Sequence, residues 1–275
     1  MKIAAIEPLV FNVSEKTNWF FIRVTAESGL TGIGEASLNG YEPAQLAYAG
    51  NMRQEWVGRT VDELLPMLKV YPHSPGGLIA SSIISATEQA VTDLCAKAAG
   101  VPVYQWLVGS GVAVRKSVRV YANINRGAAP RTPVGFAEAA KRAVAAGFRA
   151  VKLAPFEPMV WEDAANPAQR AAYAEGLARI AAVRDAVGSA IDVKVDAHWR
   201  FSPGGAAALI RDVAPFNLFW LECPVAEANH AAITRLRGMA NDRGMRLAGA
   251  ETLSGLGAYR RIIEAGCYDV LMPDI

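Results

Sequence analysis

Three acidic residues each follow a short apolar run, and together their side chains could hold a metal ion. They are Asp196 in VKVD, Glu222 in FWLE and Glu251 in LAGAE. Any one of them could be an exposed loop charge or the partner of an arginine. Three in succession favour a shared site, because clustered carboxylates repel one another unless a cation lies between them. Oxygen ligands suit Mg²⁺ better than Zn²⁺, which prefers His or Cys, so we predict a Mg²⁺ site.

A histidine and a lysine near these acids are candidates for acid–base chemistry. His198 follows Asp196 by two residues, so in extended backbone both side chains would face the same side. Imidazole also titrates near neutral pH. Lys152 could offset a substrate carboxylate, or act as a base if its pKa were lowered. The alternatives are a purely hydrogen-bonding role for His198 and a structural role for Lys152 on the rim of the site.

Large side chains close to His198 are candidates for substrate contact. Trp199 and Arg200 directly follow it, and we predict that both contact the substrate. Trp19, in an aromatic run near the N-terminus, is predicted to shape the same pocket. Each tryptophan could equally belong to a hydrophobic core.

A regular alternation of strands and helices would bring these residues together. Apolar runs predict six strands, at 118–123, 149–153, 191–195, 217–221, 246–250 and 268–272. Ala-rich helical patterns separate them, which is typical of βα units in a parallel sheet. No G-x-G-x-x-G or G-x-x-x-x-G-K-[ST] motif follows a strand, so a nucleotide-binding sheet is disfavoured. We predict a TIM-type (β/α) barrel, in which functional residues lie at the C-terminal ends of the strands.

The first part of the chain has a different pattern. Alternating and β-branched residues predict strands over about the first 40 residues, with Gly29, Gly32 and Gly34 at turns. Helical patterns follow over 43–108, and the segment 78–100 has a broad apolar stripe. We therefore predict an α+β domain over residues 1–115 and the barrel over 116–275.

Composition limits the classes of function. The net charge is +2 and no dense basic stretch occurs, which disfavours a nucleic-acid partner. No apolar run reaches ~18 residues, so no membrane span is expected. The N-terminus lacks the apolar core of a signal peptide, and three widely spaced cysteines are typical of a reducing compartment. These features predict a cytoplasmic protein.

The motifs, taken in order, resemble those of the enolase superfamily, in particular its mandelate racemase group. The N-terminal part is similar to the capping domain of that family, in GIGEAS and SATEQAVTDLCAKAAGVPVYQWLVG, and the rest is similar to its barrel, in KLAPF, VDAHWRF, WLECP, GAET and MPD. In that family the acids that end the third, fourth and fifth barrel strands bind Mg²⁺. The resemblance therefore implies the same role for Asp196, Glu222 and Glu251. It also implies an enediolate intermediate, formed by a Lys or His base.

One departure from the family pattern and one further match narrow the implied activity. The Lys-x-Lys motif of the racemases and cycloisomerases is absent, because Leu-Ala follows Lys152. The stretch from Asp196 to His198 is instead similar to the Asp-x-His of acid-sugar dehydratases, such as galactonate and gluconate dehydratases. In those enzymes the histidine helps the 3-hydroxyl leave as water.

The end of the sequence bears on the identity of the base. Asp274 matches the acid that, in the family, orients a catalytic histidine on the seventh strand, and no such histidine follows here. A complete barrel would need two more strands, since ending after the sixth leaves apolar edges open. We expect the natural polypeptide to be longer, with the base beyond residue 275.

These features predict a Mg²⁺-dependent lyase that dehydrates a sugar acid or a related 2-hydroxy carboxylate. A base would remove the 2-proton, Lys152 and the metal would stabilise the resulting charge, and His198 would protonate the departing 3-hydroxyl. Two alternatives stay open: a racemase or epimerase that uses Lys152 as one base, and a non-catalytic barrel that binds a metal or a ligand. The expected partner is a small carboxylate, and the resemblance implies a homo-oligomer.

Overall fold

The fold is given by a computed structural model, which describes residues 1–15, 17–70, 77–109, 111–160 and 166–274. The chain divides into two compact units, Met1–Ser117 and Val118–Asp274. Each unit has its own cluster of buried apolar residues. Among the described helices, none combines the length and the apolar composition needed to cross a bilayer.

The first unit is built on a three-stranded antiparallel sheet. Its strands, in spatial order, are β1 (Ile3–Ser14), β2 (Thr17–Ala26) and β3 (Thr31–Glu35). Its helices are α1 (Glu42–Trp56), α2 (Val61–Val70), α3 (Gly77–Ala98) and α4 (Val103–Val108). Alternate residues of β2, Phe20, Ile22 and Val24, are fully buried in the same cluster as the apolar stripe of α3. The predicted strands and the predicted helical segment 78–100 are confirmed.

Gly32 and Gly34 do not form the turns that we predicted, but allow a strand to pack closely against a helix. Of the three glycines that we assigned to turns, only Gly29 turns the chain, with φ +83°. Gly32 and Gly34 lie inside β3, where a Cβ would come within 2.0 Å of the carbonyl oxygens of Ala90 and Ala86 in α3. No side chain fits there, because the strand lies directly against the backbone of the helix.

The second unit is a six-stranded parallel sheet whose strands alternate with helices along the chain. The strands, in spatial order, are β4 (Ala122–Asn123), β5 (Ala150–Leu153), β6 (Asp192–Asp196), β7 (Trp220–Glu222), β8 (Arg246–Gly249) and β9 (Val270–Leu271). The helices are α5 (Pro133–Ala145), α6 (Pro167–Val187), α7 (Pro203–Val213), α8 (His230–Asn241) and α9 (Leu256–Glu264). The predicted α/β class with a parallel sheet is confirmed, and closure into a barrel stays a prediction.

The helices that follow β4, β5 and β6 start at the same local signal. The side chains of Thr132, Asn166 and Ser202 accept hydrogen bonds from backbone N–H groups in the first turn, and a proline follows each of them. Such a cap satisfies a donor that has no partner inside the helix, and proline has the φ that the first turn needs. These signals fix where each strand–helix loop ends.

β4 is much shorter than predicted. We predicted a strand over 118–123, but only Ala122 and Asn123 pair, with Val151 and Lys152 of β5. Val118 and Val120 are 71% and 62% exposed. The residues that would pair with 118–120 precede β5 and belong to the turn that leaves α5, so no neighbouring strand backbone is there to bond.

Candidate metal centre and active site

The three predicted acids lie together at the C-terminal ends of their strands. One carboxylate oxygen from each of Asp196, Glu222 and Glu251 lies within 4.8 Å of the others. Asp196 ends β6 and Glu222 ends β7, and the two residues are direct register partners. Glu251 lies beyond the end of β8, three positions after Ala248, the partner of Glu222. Asp196 is 4% exposed and Glu222 is fully buried, whereas Glu251 is partly exposed.

Lys152, from β5, pairs with two of these acids. Its Nζ lies 2.6 Å from Glu222 Oε1 and 3.4 Å from Asp196 Oδ2. Burial alone would lower the pKa of Lys152, but the charges of Glu222 and Asp196 outweigh it and raise that pKa above its ordinary value. The lowered pKa that a lysine base requires is therefore not found, and Lys152 is a protonated partner of the acids.

The close approach of the acids changes how readily each one ionises. Burial, followed by the charge of Asp196, raises the pKa of Glu222 to about 7. Burial and Asp196 also raise the pKa of Glu251. For Asp196 burial acts in the same direction, but hydrogen bonds and charge from His198 outweigh it, so its pKa is lowered. The centre thus has more carboxylate charge than Lys152 alone can balance, which is the condition that favours a bound cation.

His198 lies beside Asp196 as predicted, but its backbone conformation is not the one that we assumed. Its Nε2 is 3.0 Å from Asp196 Oδ2, and its Nδ1 is 2.9 Å from Glu157 Oε1. The hydrogen bond to Asp196 raises the pKa of His198, and burial opposes that shift. Our argument from extended backbone was wrong, because His198 has φ +47° and follows β6 in a left-handed turn. Its backbone N–H donates to Asp196 Oδ1 at 3.0 Å.

Left-handed backbone recurs next to all three acids. His198, Trp199, Cys223 and Ala250 have φ between +44° and +72°, and each lies within three residues of one of the acids. This conformation costs about 1–3 kcal/mol for a residue with a side chain, and it persists where the surroundings enforce it. The orientation of the acids therefore depends on strained backbone as well as on the sheet.

Two residues that the sequence analysis missed contact the centre. Glu157, in the loop after β5, accepts from His198 and also pairs with Arg131, with Arg131 Nη2 3.3 Å from Glu157 Oε2. Trp220 donates from Nε1 to Glu222 Oε2 at 3.0 Å. The spacing could have revealed Trp220, since residues two apart in a strand share a face. Glu157 lies in a loop, where no periodicity singles it out.

Trp199 and Arg200 lie next to His198 as the sequence requires, and their side chains have protein partners. The Trp199 ring stacks beside the His198 ring, with centroids 6.3 Å apart. Arg200 Nη1 donates to the carbonyl oxygen of Met159 at 2.7 Å. Substrate contact by both residues stays a prediction.

The other two predicted residues, and Cys223 next to Glu222, are placed as follows. Asp274 is exposed, and its charge contributes to the raised pKa of Glu251. Trp19 belongs to β2 of the first unit and is 48% exposed, with its ring 6.4 Å from that of Phe21. Its role in a pocket stays a prediction. Cys223 does not join the acid cluster, and its Sγ lies 3.9 Å from Glu227 Oε1.

Comparison with known proteins identifies the family of the chain. Residues 135–275 match the family model described as enolase C-terminal domain-like, and residues 4–109 match the N-terminal domain of mandelate racemase / muconate lactonizing enzyme. A D-galactonate dehydratase from Ralstonia nicotianae is 29% identical over 260 residues, which are 94% of this chain and 64% of that protein. A D-mannonate dehydratase from Caulobacter vibrioides is 30% identical over 281 residues, covering 94% of this chain and 67% of that protein.

Solved structures agree with the sequence comparison. The crystal structure of a candidate dehydratase from Mesorhizobium loti superposes with a TM-score of 0.86 at 26% identity, over 100% of this chain and 72% of that one. This chain spans 64% of the length of the D-galactonate dehydratase, so it corresponds to about two thirds of such a protein. Both family models match in the expected order, and the chain belongs to the mandelate racemase / muconate lactonizing enzyme family of the enolase superfamily.

Proposed function

We propose that this protein is a Mg²⁺-dependent hydro-lyase that dehydrates a sugar acid or a related 2-hydroxy carboxylate. The observation that carries the proposal is the group of three carboxylates within 4.8 Å, with an imidazole hydrogen-bonded to one of them. Relatives named as D-galactonate and D-mannonate dehydratases support the reaction class. Closure of the parallel sheet into a barrel belongs to the same proposal.

The donor set fits Mg²⁺. All three candidate ligands are carboxylates, and a hard divalent cation prefers oxygen. Burial, and then the charge of Asp196, raises the pKa of Glu222 and of Glu251, and a cation would offset both effects. Mg²⁺ held by Asp196, Glu222 and Glu251 would supply positive charge for binding a substrate carboxylate and for stabilising the negative charge left by removal of the 2-proton.

The other residues of the centre have separate roles in the proposed reaction. Lys152 holds Glu222 and Asp196 in place and adds a second positive charge at the strand ends. His198 protonates the departing 3-hydroxyl; its two ring nitrogens lie against Glu157 and Asp196, whose charges favour the protonated imidazole that this step needs. Asp274 orients the base that removes the 2-proton. The product is a 2-keto-3-deoxy acid.

The test is proton NMR of the complete gene product with Mg²⁺ in D₂O, against a panel of sugar acids and hydroxy acids. We expect a 2-keto-3-deoxy product from the unaltered protein. His198→Asn should lose water elimination and keep exchange of the 2-proton, because the base is a different group. The matched control is His230→Asn, since His230 lies at the start of α8 and takes no part in the centre.

Three outcomes would contradict the proposal. Dehydration by His198→Asn at the parent rate would remove His198 from its role. Exchange of the 2-proton without loss of water in the unaltered protein would identify a racemase or epimerase instead. No turnover with any acid, together with tight Mg²⁺ binding, would favour a binding protein.

A further inference from the structure

Glu227 is a buried acid that the proposed chemistry does not use. It lies in the loop between β7 and α8, and it is 8% exposed. A buried carboxylate needs hydrogen-bond donors, because it has lost its water. Apart from the weak thiol contact of Cys223, the donors recorded for it come from one short stretch of the neighbouring strand–helix loop.

That stretch contains Glu251. Glu227 Oε1 accepts from the backbone N–H of Ala250 at 2.7 Å and from that of Glu251 at 3.0 Å. Its Oε2 accepts from the hydroxyl of Thr252 at 2.6 Å. One carboxylate therefore ties three consecutive residues, and hydrogen bonds to an ionised acceptor are the stronger kind.

Glu251 depends on this support more than the other two acids do. Asp196 and Glu222 end paired strands, and their carboxylates bond Lys152. Within the part of the chain that the structure describes, no side chain hydrogen-bonds the carboxylate of Glu251. The residue before it, Ala250, has φ +72° and needs external bonds to keep that conformation.

A second contact holds the same loop from its carbonyl side. The Tyr259 hydroxyl, from α9, lies 2.8 Å from the carbonyl oxygen of Ala250 and 3.2 Å from that of Leu253. Tyr259 ties carbonyl groups on either side of Glu251, whereas Glu227 bonds the N–H of Glu251 itself.

We propose that Glu227 is a positioning residue that fixes the backbone of Glu251 and thereby sets the affinity of the centre for Mg²⁺. The inference rests on the proposed metal site. Loss of the acceptor leaves two N–H groups without their partner, so residues 250–252 must move to find new ones. The Glu251 carboxylate then moves away from Asp196 and Glu222.

The test is calorimetric titration of Mg²⁺ into the metal-free protein and three variants. Glu227→Ala should weaken binding by about 10- to 100-fold, as loss of a residue that orients a ligand generally does. Glu227→Gln should keep the affinity within about three-fold, because its amide oxygen accepts from both N–H groups and the Thr252 hydroxyl can turn to accept from the amide. Thr252→Val removes a single bond and should fall between them.

Asp269→Asn is the matched control. Asp269 Oδ2 accepts from the backbone N–H of Leu247 at 2.9 Å. Like Glu227, it holds backbone through an N–H group, but that group lies within β8 rather than next to the acids. Its Oδ1 accepts from Arg237 Nε at 2.7 Å. Asp269→Asn should lower the melting temperature and leave the Mg²⁺ affinity unchanged.

The outcomes separate this inference from the proposed function. Equal losses in Glu227→Gln and Glu227→Ala would show that charge acts rather than position, and unchanged affinity in Glu227→Ala would also overturn the inference. If Glu227→Ala does not fold, the other two variants test the inference. A Mg²⁺ affinity of Thr252→Val equal to that of the unaltered protein would then contradict it. Failure of the unaltered protein to bind Mg²⁺, or tight binding by Glu251→Gln, would overturn the metal site itself.

Discussion

The two sides of the acid cluster are held in different ways. Asp196 and Glu222 end adjacent strands in register, and their side chains bond Lys152, His198 and Trp220. Glu251 lies outside the sheet and is held through its backbone by the side chain of a loop residue. The sheet therefore fixes two candidate ligands directly, while the third depends on contacts between loops. Loop variation should change the third ligand first.

The largest test of this difference is Lys152→Met. The side held by the sheet contains a buried lysine between two buried acids, and removing one partner of a buried ion pair costs about 3–5 kcal/mol. We expect a loss of this size in the unfolding free energy of the metal-free protein, measured by urea denaturation with chelator at pH 8. Addition of Mg²⁺ should restore part of the lost unfolding free energy.

Lys194→Met is the control for that experiment. Lys194 is also buried, but its Nζ lies over aromatic rings, 4.1 Å from the Trp220 ring centroid and 4.3 Å from that of Tyr121. Burial lowers the pKa of Lys194, so its charge is held less firmly than that of Lys152. Lys194→Met should therefore destabilise the protein much less, and equal losses would contradict the role of Lys152 as a partner of the acids.

The next effect concerns pH. The pKa of Glu222 rises from an ordinary value of 4.5 to about 7 in the folded protein, so the folded state binds this proton more tightly than the unfolded state. Its contribution to stability is full below about pH 4.5 and is lost as the pH rises through about 7. The metal-free protein should become less stable over this range, while Mg²⁺ affinity rises because the ion and the proton compete.

Glu222→Gln isolates that effect. The variant has no titrating group at this position, so the difference between its slope of unfolding free energy against pH and that of the parent reports Glu222 together with its coupling to Asp196 and Glu251. Denaturation at pH 5, 6, 7 and 8 with chelator measures both slopes. Parallel slopes would contradict the raised pKa of Glu222 and the crowding of the acids.

The smallest effect should come from Trp220→Phe. The change removes one hydrogen bond to Glu222 Oε2 and keeps an aromatic ring beside Lys194. We expect a loss of about 1 kcal/mol in the free energy of Mg²⁺ binding, the usual contribution of one hydrogen bond. A loss as large as that of Glu227→Ala would show that the sheet alone does not fix Glu222.

The sequence was informative where periodicity carried the signal. Asp196, Glu222 and Glu251 were found because each follows an apolar strand, and parallel strands end at one edge of a sheet. Glu157 and Glu227 were not found, since an acid in a loop has no repeat that separates it from any exposed charge. His198 was placed beside Asp196 by an argument that failed, because a left-handed turn cannot be read from residue types that usually avoid it. Gly32 and Gly34 were misassigned for a similar reason, because a strand packed against a helix backbone and a turn both require glycine, and the sequence does not distinguish the two.

The left-handed residues beside the acids have a consequence for engineering. Each stores about 1 kcal/mol or more of backbone strain, which a glycine would release. A screen for heat resistance alone would therefore favour glycine at position 250, next to Glu251, where the change removes only a methyl group. Stabilising changes of this kind commonly reduce activity where a strained site is needed. The position where stability is most easily gained is thus one whose strained backbone a useful catalyst must keep.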